Sequence, residues 1–166
     1  MFIKLFGLLL TAVVLTGCGA MGAPKNAEEF RQASQKGPLK RTDTFEVARP
    51  LGDISATLRN KAAECLNVAI HWNNTKGGSG VIKYKSTFAT KKGRASLYVQ
   101  SKREGGNHTA FGEPPDGAIR VLIDATAVSS SRTRIDLYLW SPFDDKRLGK
   151  AFSGWAKGND LSCPDL

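Results

Sequence analysis

Two runs of strict alternation, separated by three serines, constrain this chain more than any other feature. Ile119, Val121, Ile123, Ala125 and Ala127 occupy one side of a period-two pattern, and Arg120, Leu122, Asp124, Thr126 and Val128 the other. After Ser129-Ser130-Ser131 the pattern resumes, with Ile135, Leu137 and Leu139 against Arg134, Asp136, Tyr138 and Trp140. Successive side chains of a strand point to opposite faces, so the region reads as a β-hairpin with one apolar face. A one-residue slip would turn every side chain to the wrong face, so odd positions must oppose odd positions. That parity sets Asp124 near Asp136 and puts Arg120 and Arg134 on the same side, the pattern of a surface salt-bridge network.

Shorter signals complete the domain. Phe45 and Val47 mark a first strand that Pro50 ends. Leu51, Ile54, Leu58, Ala62 and Cys65 recur at three- and four-residue spacing, the stripe of an amphipathic helix, with Asp53 in the first turn where a carboxylate suits the helix dipole. Val68, Ile70 and Trp72 predict a second strand, Ile82, Tyr84 and Phe88 a third, and Ala95, Leu97 and Val99 a fourth, with Lys91-Lys92-Gly93-Arg94 as a turn. Ser141-Pro142 suits the start of a last helix, and Leu148, Ala151, Phe152 and Trp155 form its apolar stripe. Gly149 and Gly154 each weaken that helix by about 1 kcal/mol, so it must lean on tertiary packing. Strand, helix, five strands, helix predicts an α+β domain over residues 43–166. The expected architecture is an antiparallel, curved sheet of about six strands with two helices on one face, resembling a helix-grip arrangement. Trp72, Tyr84, Phe88, Phe152 and Trp155 are expected in the core.

The amino end carries a different kind of signal. Lys4 precedes an apolar run from Leu5 to Leu15, too short for a membrane-crossing helix but of the right length for an export signal. The run ends in Leu15-Thr16-Gly17-Cys18, which resembles the lipobox of bacterial lipoprotein precursors. The resemblance implies cleavage after residue 17 and a diacylglyceryl thioether on Cys18, often with a third acyl chain on the new amine. Two or more chains anchor a protein stably where one does not. Gly19 in place of Asp implies forwarding to the outer membrane, on its periplasmic face. Residues 18–42, polar and without sustained period, are expected to form the lipidated N-terminus and a flexible tether, with one helical turn around Ala27 to Ala33. Gly17-Cys18-Gly19-Ala20-Met21-Gly22 also fits a dinucleotide-binding fingerprint, but cleavage would split it and no βαβ unit surrounds it.

With Cys18 consumed by lipid, Cys65 and Cys163 remain as an even pair in an oxidising compartment, and a disulfide between them is expected. The whole chain has a formal net charge of +9, with 24 Lys and Arg against 15 Asp and Glu. Its cations are spread along the chain, which suits attraction to anionic lipid heads, lipopolysaccharide or another anionic envelope polymer. Export makes nucleic acid an unexpected partner. Lys91, Lys92 and Arg94, together with His108 and Phe111 from the long stretch between Glu104 and Gly117, form the candidate binding surface; loops of that length are commonly functional.

Candidate chemistry is sparse. His71 and His108 are the only histidines, and neither stands in a zinc-ligand pattern. Gly77-Gly78-Ser79-Gly80-Val81 breaks the nucleophile-elbow pattern. Asp124 and Asp136 could be imagined as an acid–base pair, but the neighbouring arginines explain them more simply. The expectation is a non-catalytic, membrane-anchored envelope lipoprotein without metal or cofactor, binding or scaffolding another envelope component. An apolar-ligand or lipid carrier, and a hydrolase using the 104–117 loop with His108, are the alternatives.

Overall fold

Alternation in the sequence becomes register in the structure. The computed structural model describes residues 23–36, 42–74, 78–105, 113–139 and 146–166. The elements are α1 (Ala27–Lys36), β1 (Thr42–Val47), α2 (Leu51–Cys65), β2 (Ala69–Asn74), β3 (Gly78–Lys91), β4 (Arg94–Glu104), β5 (Ala118–Ala127), β6 (Thr133–Leu139) and α3 (Lys146–Lys157). The strands form one six-stranded antiparallel sheet in the order β1-β6-β5-β4-β3-β2. The β5–β6 hairpin has the expected parity, with Ile123 opposite Leu137 and Asp124 opposite Asp136. The fold is therefore α+β with an antiparallel sheet.

One face of the sheet is the main core. Leu97, Val99, Val121, Ile123, Ile135, Leu137 and Leu139 pack there beneath Ile54, Leu58 and Ala62 of α2 and Leu148, Phe152 and Trp155 of α3. Tyr84 and Phe88 are half-buried at its margin, while Trp72 lies over Gly80 near the β2 edge. The two glycines of α3 mark close approaches. A Cβ on Gly149 would stand 3.3 Å from the Leu139 methyls, and one on Gly154 would collide with Leu161 of the tail at 2.2 Å. Their loss of helix propensity is offset by letting α3 seat against β6 and letting the tail fold back. The helix ends in a Schellman motif, Asn159 N–H donating to Gly154 and Gly158 N–H to Trp155. Arg49 Nη1 donates to the carbonyls of Trp155 and Ala156 at 2.9 Å, satisfying the last turn.

Two expectations need correction. The helical turn expected within the tether at Ala27 to Ala33 is a ten-residue helix, α1, packed on the opposite face of the sheet. Asn26 caps it, its Oδ1 accepting from Glu29 N–H at 2.9 Å while the Glu29 carboxylate accepts from Lys25 N–H at 2.9 Å. Phe30 supplies the packing, fully buried with Ile119, Leu122 and Tyr138; such burial contributes about 1.5–3 kcal/mol. The second correction explains why Ile119 is there. The register shifts between Val99, opposite Val121, and Gln100, opposite Ile119, so Arg120 is an extra residue in β5. That β-bulge turns Ile119 from the main core to the α1 face. Cys18, His108, Phe111 and the expected Ser141-Pro142 helix start lie outside the described residues.

Cys65 and Cys163 form a disulfide, with Cα atoms 5.1 Å apart and 98 positions separating them. It ties the end of α2 to the tail that folds back over α3. Replacing both cysteines by alanine should lower unfolding stability by about 2–5 kcal/mol. Urea denaturation of the variant and parent under oxidising conditions checks this; equal midpoints would show that the tail is held without the crosslink.

Candidate functional site

The α1 face has a charged centre. Asp124 lies in the middle of β5 with its side chain wholly shielded from solvent. A buried carboxylate must find donors, and four converge on it. Arg31 of α1 grips it as a fork, Nε to Oδ2 at 2.7 Å and Nη2 to Oδ1 at 2.9 Å. Ser96 Oγ donates to Oδ1 at 2.5 Å, and Arg94 Nη2 donates to Oδ2. Burial alone would push the Asp124 carboxyl up, but the hydrogen bonds from Arg31 and Ser96 and the charges of Arg31 and Arg94 outweigh it. The carboxyl is held below its ordinary value. The Arg31 guanidinium is raised in turn, chiefly by its hydrogen bond to Asp124. Tyr138 beside them is raised, first by burial and then by the charges of Asp124 and Asp136.

Asp136 is also engaged. It accepts from Thr44 Oγ1 at 2.8 Å and from Arg134 Nε and Nη2 at 3.1 and 2.9 Å. The two carboxylates are register partners, yet the cluster around Asp124 is buried rather than the surface network that the alternation suggests. The missing partner is Arg31, 93 positions away in sequence, on a segment whose composition reads as tether.

Beyond α1 the same face lies open, and it is basic. Residues opposite one another in register share a face. The rows Lys83–Lys102, Lys85–Gln100 and Lys91–Arg94 therefore belong with Thr87–Tyr98 and Ala89–Ser96 on the α1 side. His71 of β2, opposite Val81, is exposed on that side too. Lys83, Lys85, Gln100 and Lys102 line a groove of about 460 Å³, with Asn67, Val68 and Ala69 at one wall and Asp116 as an acidic neighbour. Lys83 pairs with Glu104 at 2.6 Å. Lys85, Lys91 and Lys102 have no ion-pair partner among the described residues. Of the sequence-derived surface, Lys91, Lys92 and Arg94 do sit together at the β3–β4 turn, but Arg94 is turned inward to Asp124. The groove lysines were legible in β3, where Lys83 and Lys85 alternate with Ile82 and Tyr84.

The helix face carries a second groove, about 390 Å³, between β1 and α3, with Lys146, Lys150 and Lys157 along its rim and Phe45, Leu137 and Leu139 beneath. Most cations on that side are occupied. Lys157 stands 4.9 Å over the Phe45 ring, Arg147 pairs with Asp165 at 2.8 Å, and Lys61 pairs with Glu64 and Asp160 at 3.5 and 3.3 Å. Glu64, Cys65 and Cys163 lie close enough to suggest metal ligands, but both sulfurs are committed to the disulfide. No helix among the described residues is long and apolar enough to cross a membrane.

No protein-family model matches the chain, and no curated protein does. A solved structure of an uncharacterized protein from Rhizobium leguminosarum is similar over 72% of this chain and 90% of its own, at 9% identity and a TM-score of 0.29. A likeness that weak carries no functional argument.

Replacing Asp124 by Asn should cost about 3–5 kcal/mol, because Arg31 would be left partly buried without its counter-charge. The pH sign follows from the lowered carboxyl. Its stabilisation is complete above the ordinary carboxylate value near 4 and is lost as pH falls through the lower folded value. Acid titration followed by circular dichroism should therefore show the parent losing stability below about pH 4 and D124N lacking that component. Identical acid limbs would contradict the role given to this carboxylate.

Proposed function

We propose that this protein is a lipid-anchored envelope lipoprotein whose folded domain binds another component of the envelope and is not an enzyme. The observation that carries the proposal is Leu15-Thr16-Gly17-Cys18, placed directly after a short apolar run. Two features of the fold support it. The Cys65–Cys163 disulfide suits an oxidising compartment outside the cytoplasm. The best carboxylate pair, Asp124 and Asp136, is spent on holding α1 and β1 to the sheet, through Arg31 and Thr44 respectively.

On this reading the signal is removed, acyl chains on Cys18 enter the bilayer, and the domain presents its open basic face to an anionic partner. Long-range attraction to such a partner should weaken as salt rises. Fractionation of cells with mass spectrometry of the mature N-terminus tests the anchor. The parent should be in the membrane fraction with acyl mass on the peptide that begins at Cys18, and Cys18→Ser should leave that fraction. A Cys18→Ser variant processed and membrane-held like the parent would overturn the proposal.

A further inference from the structure

The geometry points to the open basic face of β2–β4 as a docking surface for the anionic headgroups of the same bilayer that holds the anchor. This rests on the lipoprotein reading, and adds to it which side of the domain meets the membrane and through which residues.

Three observations carry it. First, α1 lies on the same side of the sheet as Lys83, Lys85, Lys91 and Lys102, because Phe30 packs on Ile119, Leu122 and Tyr138 of that face. The described chain therefore begins, at Ala23 just before α1, on the basic side. Second, with α1 docked, nine steps of chain separate Cys18 from Ala27, which can reach at most about 30 Å. The expected tether of residues 18–42 would have allowed any orientation; the docked helix shortens the leash and fixes its point of departure. Third, the open side gathers unengaged lysines around one groove. On the helix side Arg147, Lys61 and Lys157 are engaged by Asp165, by Glu64 and Asp160, and by Phe45, which leaves Lys146 and Lys150 on the rim of the other groove. On the open side Lys85, Lys91 and Lys102 have no ion-pair partner among the described residues, and Lys85 and Lys102 flank the 460 Å³ groove with Lys83. The acids of that side are largely engaged: Glu104 is paired to Lys83, Glu28 of α1 is bound to Arg31, Glu29 accepts from Lys25 and Asn26, and Asp116 lies at the groove. Unpaired ammonium groups on the side of the sheet that carries α1 are attracted to anionic headgroups within a Debye length. The anchor supplies the proximity that such weak contacts need.

The test uses the lipidated protein reconstituted into vesicles of pure phosphatidylcholine, and into vesicles with about one-third phosphatidylglycerol. Amine labelling followed by peptide mass mapping reads each lysine. On the anionic vesicles Lys83, Lys85 and Lys102 should label roughly fivefold more slowly than on the neutral ones. The protection should vanish at high salt, and Lys146, Lys150 and Lys157 on the opposite side should be unchanged. Equal protection of both sets, protection of the α3 set alone, or none would overturn the inference. A second arm separates it from failure of the anchor. The full-length Cys18→Ser chain should bind the anionic vesicles weakly, and K83Q/K85Q/K102Q should lose roughly 100-fold of that binding while K146Q/K150Q/K157Q keeps it. If the two triple variants bind alike, the face is wrong even where the anchor is right. If the parent is found without lipid but the first triple variant alone loses binding, the face stands and the anchor fails.

Discussion

A carboxylate with no access to water sits at the centre of the sheet, and the arrangement of the molecule follows from what neutralises it. Asp124 lies on β5, flanked by β4 and β6, within the buried run from Val121 to Ala125. Its charge is tolerable only because Arg31 comes down from α1 with a two-point grip and Arg94 and Ser96 close the remaining lone pairs. Phe30 and Arg31 are adjacent in sequence, so one turn of helix delivers both the apolar plug and the counter-charge. The apolar contact supplies burial; the ion pair supplies register, since α1 cannot slide without uncovering the carboxylate.

Fixing α1 divides the sheet into unlike surfaces. One face is closed by α2 and α3, sealed at the tail by the disulfide and by the glycine contacts of α3. The other is half covered by α1 and half open. The bulge at Arg120 belongs to this division, because it recruits Ile119 to the covered half without disturbing the core side of β5. Arg94, drawn inward to Asp124, marks the seam between the covered half and the basic half. Exposure of the lysines and burial of the carboxylate are thus one geometric fact seen from two sides.

Much of this was legible in the residues, and the failures have physical causes. The β5–β6 parity, the α2 stripe from Leu51 to Cys65 and the cysteine pairing rest on periodicity and on counting, and the structure has each of them. The α1 helix was not legible because it buries so little apolar surface: Phe30 is its one large apolar contact, and its remaining hold is a charge pair with a residue 93 positions away. A hydrophobic pattern cannot report an interaction that is electrostatic and non-local. The signal that was present, Asn26 followed three residues later by Glu29, is a capping pattern, and it marks where a helix starts rather than whether it docks. The bulge was hidden for a related reason, since Ile119 and Val121 look like one continuous alternation until the β4 register is known. The open basic face was half visible: β3 was read from its apolar members Ile82, Tyr84 and Phe88, and Lys83 and Lys85 between them were not placed.

The claim on which the rest depends is that α1 is part of the folded domain. Native-state hydrogen exchange measures it directly. The amides of Arg31 to Lys36 should show protection comparable to those of β5, lost in D124N while the β3–β4 amides keep theirs. Exchange of these amides in the parent at the rate of an unstructured peptide would contradict the account.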